Sequence, residues 1–231
     1  METNRERMSS AKSRAAPKKK ADGVAPTLRA QGLRTRNALV DAARKLLLAE
    51  GPLGFTLRRV ADETGVRISN VQYYFSGRAE LLRAVMKPLL DEYVVLIQEA
   101  EKNSSTPEAA IAVLDAMLDS VIEHAEHEQK VILIPHFWSM GVADKESARV
   151  LSEAYEALIS GVAGLIRRAY SVIPATESRH LAAVLISLSD GLFVQLGIAR
   201  QDDASIREIA VRVRESAHLL LAHAAAAATA S

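Results

Sequence analysis

In "GVRISNVQYYFSGRAELL", Gly65 to Leu82, three of the chain's few aromatic residues stand side by side as Tyr73, Tyr74 and Phe75. At the helical step of about 100° per residue, Ile68, Val71 and Phe75 share one side and read as core. Ser69, Asn70 and Tyr73 point away from that side, with Tyr74 beside them. Arg58, Arg59 and Arg67 precede them. Tyrosine hydroxyls and short polar side chains donate to phosphates, while asparagine and arginine pair with base edges. This is the chemistry of gripping and reading double-stranded DNA.

Two other groups of residues invite a chemical reading. "HFWSMG", His136 to Gly141, holds the only tryptophan, Trp138, beside Phe137 and Met140. With Tyr93, Tyr155 and Phe193 these are candidates to line a pocket for an apolar or cationic ligand. An aromatic cluster at a helix end reads equally as core. His124 and His127 stand at i, i+3 among Glu123, Glu126 and Glu128. They have no evident third ligand, so an exposed polar helix face accounts for them and no metal site is expected. No convergent acid, base and nucleophile set is present, so neither an enzyme nor a cofactor is expected.

The elements that position these residues are helical throughout. Leu39, Ala43, Leu46 and Leu47 make one stripe, ended by Gly51 and Pro52. Thr56 is the expected N-cap of a helix over 56–64 whose buried side is Leu57, Val60, Ala61 and Thr64. Gly65 is its left-handed C-terminal residue. A short helix from Arg67 to Tyr74 completes a helix-turn-helix, which would lay its second helix in the major groove. Ser76 caps a long helix from Gly77, with Glu80 in its first turn. Further helices are expected over 107–124, 128–140, 145–170, 175–199 and 203–225, and "AHAAAAATAS" reads as a fraying terminus. The chain is therefore all-α, with about nine helices.

The composition, 49% hydrophobic and 25% charged, suits a soluble globular protein. The absence of cysteine excludes disulfides and thiolate zinc sites. No apolar segment precedes Val24, so a secretory signal is not expected and the location is read as cytoplasmic, with Met8 an alternative start to Met1. The most membrane-like run, Leu181 to Ala199, carries Asp190 at its middle, where charge is costly in lipid. It reads as a buried helix or subunit interface, and no membrane association is expected. Residues 1–36 carry ten Lys/Arg against three Asp/Glu, and residues 101–231 carry eleven against seventeen. A basic front and an acidic back suit a polyanion partner at one end. Residues 1–31 read as a disordered basic tail.

"FTLRRVADETGVRISNVQYYFSGRAELLRAVM", Phe55 to Met86, resembles the DNA-binding unit of the tetracycline-repressor (TetR) family. The matching features are Thr56, Val60-Ala61, the Gly65-Val66 turn, Tyr73-Tyr74-Phe75, and Arg78 with Glu80-Leu81-Leu82. The likeness is specific over Leu33 to Met86. Beyond that it is architectural, and "HFWSMGVADKESARVLSEAYEALISGVAGLI" is similar to the betaine-regulator-like C-terminal group. The resemblance implies a DNA-binding domain over 32–77, a linking helix over 77–100, and a ligand-binding and dimerisation domain over 101–231. It assigns base reading to Arg58, Arg67, Ile68, Ser69 and Asn70, and backbone gripping to Gln72, Tyr73, Tyr74 and Arg78. Gln72 stands where the family usually has Tyr, and Arg67 where Ser or Glu is usual, which leaves the operator sequence open. Ile68 has two readings, core by the wheel or contact with a thymine methyl. The implied partners are a near-palindromic operator, an unknown small-molecule effector, and a second copy of the chain. The second copy would pair through helices 175–199 (Leu181, Val184, Leu185, Leu188, Leu192, Leu196) and 203–225 (Ile206, Ile209, Val213, Leu219, Leu220). The function so implied is a ligand-responsive regulator, by family default a repressor. A DNA-architectural protein without effector and an α-helical enzyme are the alternatives.

Overall fold

The computed structural model describes residues 28–103, 106–125, 128–198 and 204–230. Over these the chain forms nine helices and no strand. They are α1 (Leu28–Gly54), α2 (Leu57–Thr64), α3 (Ile68–Tyr74), α4 (Arg78–Asn103), α5 (Pro107–Ala125), α6 (Glu128–Ala143), α7 (Lys145–Ala169), α8 (Ala175–Ile198) and α9 (Ala204–Ala230).

α1 begins at Leu28, so its first turn lies inside the stretch expected to be tail; residues 1–27 lie outside the described residues. At its far end Gly51 takes φ 67 and ψ −161 and kinks the helix, which resumes briefly through Pro52 to Gly54. That conformation is almost confined to glycine. A Cβ on Gly51 would also sit 3.4 Å from the His136 ring. Gly65 has φ 68 and ψ 20, ordinary left-handed helix, with open space where a Cβ would go. Gly51→Ala is therefore expected to cost ~1–3 kcal/mol and Gly65→Ala only about 1 kcal/mol. Urea unfolding of the two variants checks the order.

One apolar cluster joins α1–α4 to α6 and α7. It runs from Leu39, Leu47, Phe55, Val60, Val71, Phe75, Leu81 and Leu82 to Leu133, Phe137, Met140 and Val150. The core of the front domain thus continues into the back of the molecule. A second cluster fills the space between α4, α5, α7, α8 and α9, including Ile97, Leu114, Leu165, Ile166 and Leu185. α9 runs on to Ala230 instead of fraying within its alanine run, in keeping with alanine's helix propensity. Leu196, Ile206, His124 and His127 have side chains outside the described residues.

Candidate DNA-binding face and inner cavity

The helix-turn-helix is built by local chemistry. Thr56 Oγ1 accepts the Arg59 N–H at 3.2 Å and caps α2. At the other end the Gly65 and Val66 amides return to the Ala61 and Asp62 carbonyls, closing the turn. Ser76 is held by Glu80, whose Oε2 accepts both its N–H and its hydroxyl at 2.8 Å. Those bonds draw the Glu80 carboxyl below its usual range.

α3 buries only Val71, and Phe75, which caps its C-terminus, is buried beside it. Ile68 is 41% exposed, so the wheel's core assignment is wrong there. At a helix's first residue the side chain leans back past the N-terminus, away from the line along which Val71 and Phe75 pack. Gln72 is exposed, because so short a helix packs along a narrow line. Ser69, Asn70 and Tyr73 are exposed, Tyr73 at 82%. Tyr74 is half-buried, edge-on to Tyr73 at 5.0 Å and facing α1 beside Gly32. The tyrosines are therefore not equivalent: Tyr73 projects and Tyr74 braces it.

The arginines also divide. Arg58 and Arg67 are exposed on this face. Arg59 is paired with Glu50 across the kink. Arg78 was expected to grip the DNA backbone, but its guanidinium is spent on the Phe55 and Pro52 carbonyls and on Asp144. Arg36, which is not among the expected contacts, lies 5.2 Å from the Phe75 ring at the edge of the same face. Its spacing on α1 gave no sign of this, since the contact depends on how α1 crosses α3.

Behind the head, α4 to α9 line a partly open cavity of about 150 Å³. Tyr93, Phe137, Trp138, Tyr155 and Phe193 line it. Met140 does not; it is fully buried in the cluster that joins α1–α4 to α6 and α7. Trp138 Nε1–H donates to Tyr155 Oη at 2.6 Å, and the Tyr155 hydroxyl donates to Asp190 Oδ2 at 2.6 Å. Burial pushes Asp190 up to about 6, against the pull of the Tyr155 hydrogen bond. Burial also pushes Tyr93 up to about 12, opposed by its bond with Ser120 and reinforced by the charges of Glu92 and Asp190. Tyr155 is raised by burial and by Asp190, so both phenols stay neutral. At the α5–α9 wall His218 Nε2 meets Asp115 Oδ1 at 2.5 Å. No lysine or arginine is among the lining residues. The cavity thus offers π-faces and a carboxylate that is anionic above about pH 6, which suits a small cation. By sequence alone Asp190 is an obstacle to membrane insertion; an acid in the otherwise apolar run 181–198 is the signal that points to the cavity. Among the described residues no cluster able to hold a metal is found.

Residues 39–85 match the family described as bacterial regulatory proteins, tetR family, and residues 110–222 match the BetI-type transcriptional repressor C-terminal family. The chain is 28% identical over 182 residues to the HTH-type transcriptional regulator BetI of Brucella canis, covering 78% of this chain and 89% of that one. It is 26% identical over 160 residues to BetI of Rhizobium meliloti, covering 69% and 76%. Among solved structures, a TetR transcription regulator of Haloarcula marismortui superposes with TM-score 0.63 at 20% identity, over 81% of this chain and 98% of that one. A protein of Saccharomonospora viridis solved in complex with choline superposes with TM-score 0.58 at 15% identity, over 79% and 95%.

Proposed function

The chain belongs to the TetR family and is a DNA-binding transcriptional regulator, and from that premise we propose that it is a repressor released from its operator by a small quaternary-ammonium cation. The observation that carries the ligand class is the Asp190 carboxylate beside Tyr93, Trp138, Tyr155 and Phe193, with no lysine or arginine in the lining and the one histidine, His218, paired with Asp115. A cation over aromatic faces gains ~0.5–2 kcal/mol per desolvated contact, and the carboxylate adds charge complementarity. The volume suits a ligand well below the ~300–1,000 Å³ of pockets for larger molecules. Choline, which the S. viridis protein holds, is of this class. The test compares choline with its neutral isostere 3,3-dimethyl-1-butanol in an operator-binding titration. Choline should weaken operator binding and the alcohol should not. Equal effects would show that charge is irrelevant to the site and would sink the cation reading.

The division of labour follows from the exposed groups. Residues 28–77 form the DNA-reading head, α4 the link, and residues 107–230 the ligand-binding and dimerising part. The chain works where its DNA lies, in the cytoplasm; among the described residues no helix is long and apolar enough to cross a membrane. Family members bind operators as dimers. Arg58, Arg67, Ile68, Ser69 and Asn70 read bases, Ile68 as an apolar contact for a thymine methyl. Gln72 and Tyr73 hold the backbone, Tyr74 supports Tyr73, and Arg78 leaves the contacting set. Asn70→Ala and Arg58→Ala are expected to relax preference at particular base pairs by ~1–3 kcal/mol each. Tyr73→Phe should weaken all sequences alike by about 1 kcal/mol and leave the salt slope unchanged, since a phenol displaces no counterion. Binding to a library of single-base operator variants separates the two behaviours; a preference profile untouched by Asn70→Ala and Arg58→Ala would remove them as readers.

A further inference from the structure

α4 starts at Arg78, and this one side chain touches both halves of the molecule. Nε donates to the Phe55 carbonyl and Nη2 to the Pro52 carbonyl, each at 3.0 Å. Nη1 donates to Asp144 Oδ2 at 3.3 Å. Pro52 and Phe55 lie in the segment between the Gly51 kink and α2, which carries the helix-turn-helix.

Asp144, in turn, forms the corner between α6 and α7. Its N–H donates to the Met140 carbonyl at 3.1 Å. Its Oδ1 accepts the Ser147 N–H at 2.7 Å and its Oδ2 the Ser147 hydroxyl at 2.8 Å, capping α7. Ser147 is buried, which fixes the carboxylate in place. The same bonds, with the Arg78 charge, hold Asp144 below the usual carboxylate range. The helix that ends at this corner carries Trp138, and the helix that begins there carries Tyr155. Inside the cavity those two are bonded to each other and to Asp190. α6 meets the head at a second point, where the His136 ring lies against Gly51.

We propose that the Arg78–Asp144 contact, with the Pro52 and Phe55 carbonyls, is the joint through which the contents of the cavity set the position of the DNA-reading helix. The proposal rests on the release reading above. A ligand seated against Trp138, Tyr155 and Asp190 spreads or rotates α6 and α7, which share Asp144. A guanidinium is a rigid planar fork, so a small displacement of one of its three acceptors re-aims the other two bonds. The corner's movement is thereby passed to the segment entering α2, and packed elements answer such shifts in steps rather than smoothly. Arg78 and Asp144 are positioning residues and touch neither DNA nor ligand.

Asp144→Asn tests this, because asparagine still caps α7 but removes the charge facing Arg78. Operator affinity with and without choline is measured for full-length wild type and variant, together with choline affinity of the DNA-free protein. The ratio of operator affinities should fall by about fivefold or more in the variant, while choline affinity stays within about threefold. A merely structural brace would lower the melting temperature and leave that ratio alone. An unchanged ratio, or loss of choline binding itself, overturns the proposal. Should Asp144→Asn fail to fold, Arg78→Lys is read against the same outcomes: its ammonium keeps the charge but cannot serve both carbonyls and Asp144. If choline leaves wild-type operator affinity unchanged, the release reading fails separately. The joint is then judged by amide exchange in choline-free protein: faster exchange confined to α2 and α3 in Asp144→Asn, at an unchanged melting temperature, supports it, and unchanged or uniformly faster exchange refutes it.

Discussion

Asp190→Asn is expected to weaken choline binding by ~30-fold, about 2 kcal/mol, the lower end of the cost of removing one partner from a buried charge pair. The amide oxygen can still accept the Tyr155 hydroxyl, so the variant isolates the charge from the hydrogen-bond chain that orients it. Wild-type binding should also depend on pH. Asp190 titrates at about 6 in the folded, unliganded chain, so its anion is depleted as pH falls through that value. A cation that needs the anion should bind roughly tenfold more weakly at pH 5 than at pH 7, and binding near pH 6 should release a proton. Asp115 and His218 also line the cavity. His218→Gln should therefore keep the pH response and Asp190→Asn should abolish it. The same shift has a stability side. A carboxyl whose folded pKa is raised holds its proton more tightly when folded, so its contribution to stability declines from about pH 4 to pH 6 and stays at its lowest above that. Asp190→Asn should consequently stabilise the empty protein at pH 7.5 by on the order of 1 kcal/mol, the shift being discounted for the water that reaches the carboxylate. Calorimetric titration across pH 5–8 and urea unfolding measure both effects; pH-independent choline binding by wild type would refute the role of Asp190.

The helices were legible in the sequence because each carries its own start and stop. Thr56, Gly65, Ser76 with Glu80, and Pro107 act on neighbours a few residues away, so local chemistry suffices. The exposed side of α3 was legible for the same reason: Val71 and Phe75 point one way and Ser69, Asn70 and Tyr73 the other. What the sequence did not show falls where a side chain's fate depends on distant chain. Arg78 reads as one more basic residue beside a DNA-binding helix, yet Pro52, Phe55 and Asp144 claim it. Met140 shares a motif with Trp138, but the packing of α6 between α1 and α7 sends one to the core and the other to the cavity. Asp190 gains its meaning from Tyr155, on another helix. No periodicity in a single helix encodes these encounters.

Leu219→Glu is expected to dissociate the dimer and reduce operator affinity by at least ~100-fold. α9 turns Ala217 and Leu221 inward and presents Leu219 and Leu220 on its outer side, Leu219 at 70% exposure. Ile209 and Val211 are exposed on the same helix, and Val184 and Val194 on α8. Among the described residues no element covers them, whereas a symmetry-related α8–α9 pair would bury each residue against a copy of the same surface. A glutamate at 219 would enter that interface from both chains. Each loses the ~1.5–3 kcal/mol of a buried leucine, and each carboxylate must be desolvated without a partner. Operator binding falls because one recognition helix reaches one half-site, and two must stand ~34 Å apart, or a multiple of it, to occupy successive major grooves. Choline binding should survive, since the cavity walls from α4 to α9 all come from one chain. That survival separates loss of pairing from loss of fold. Sedimentation, footprinting and choline titration of the one variant give the three readouts together. A Leu219→Glu protein that remains dimeric, or a monomer that still protects both half-sites, would exclude α8 and α9 as the interface.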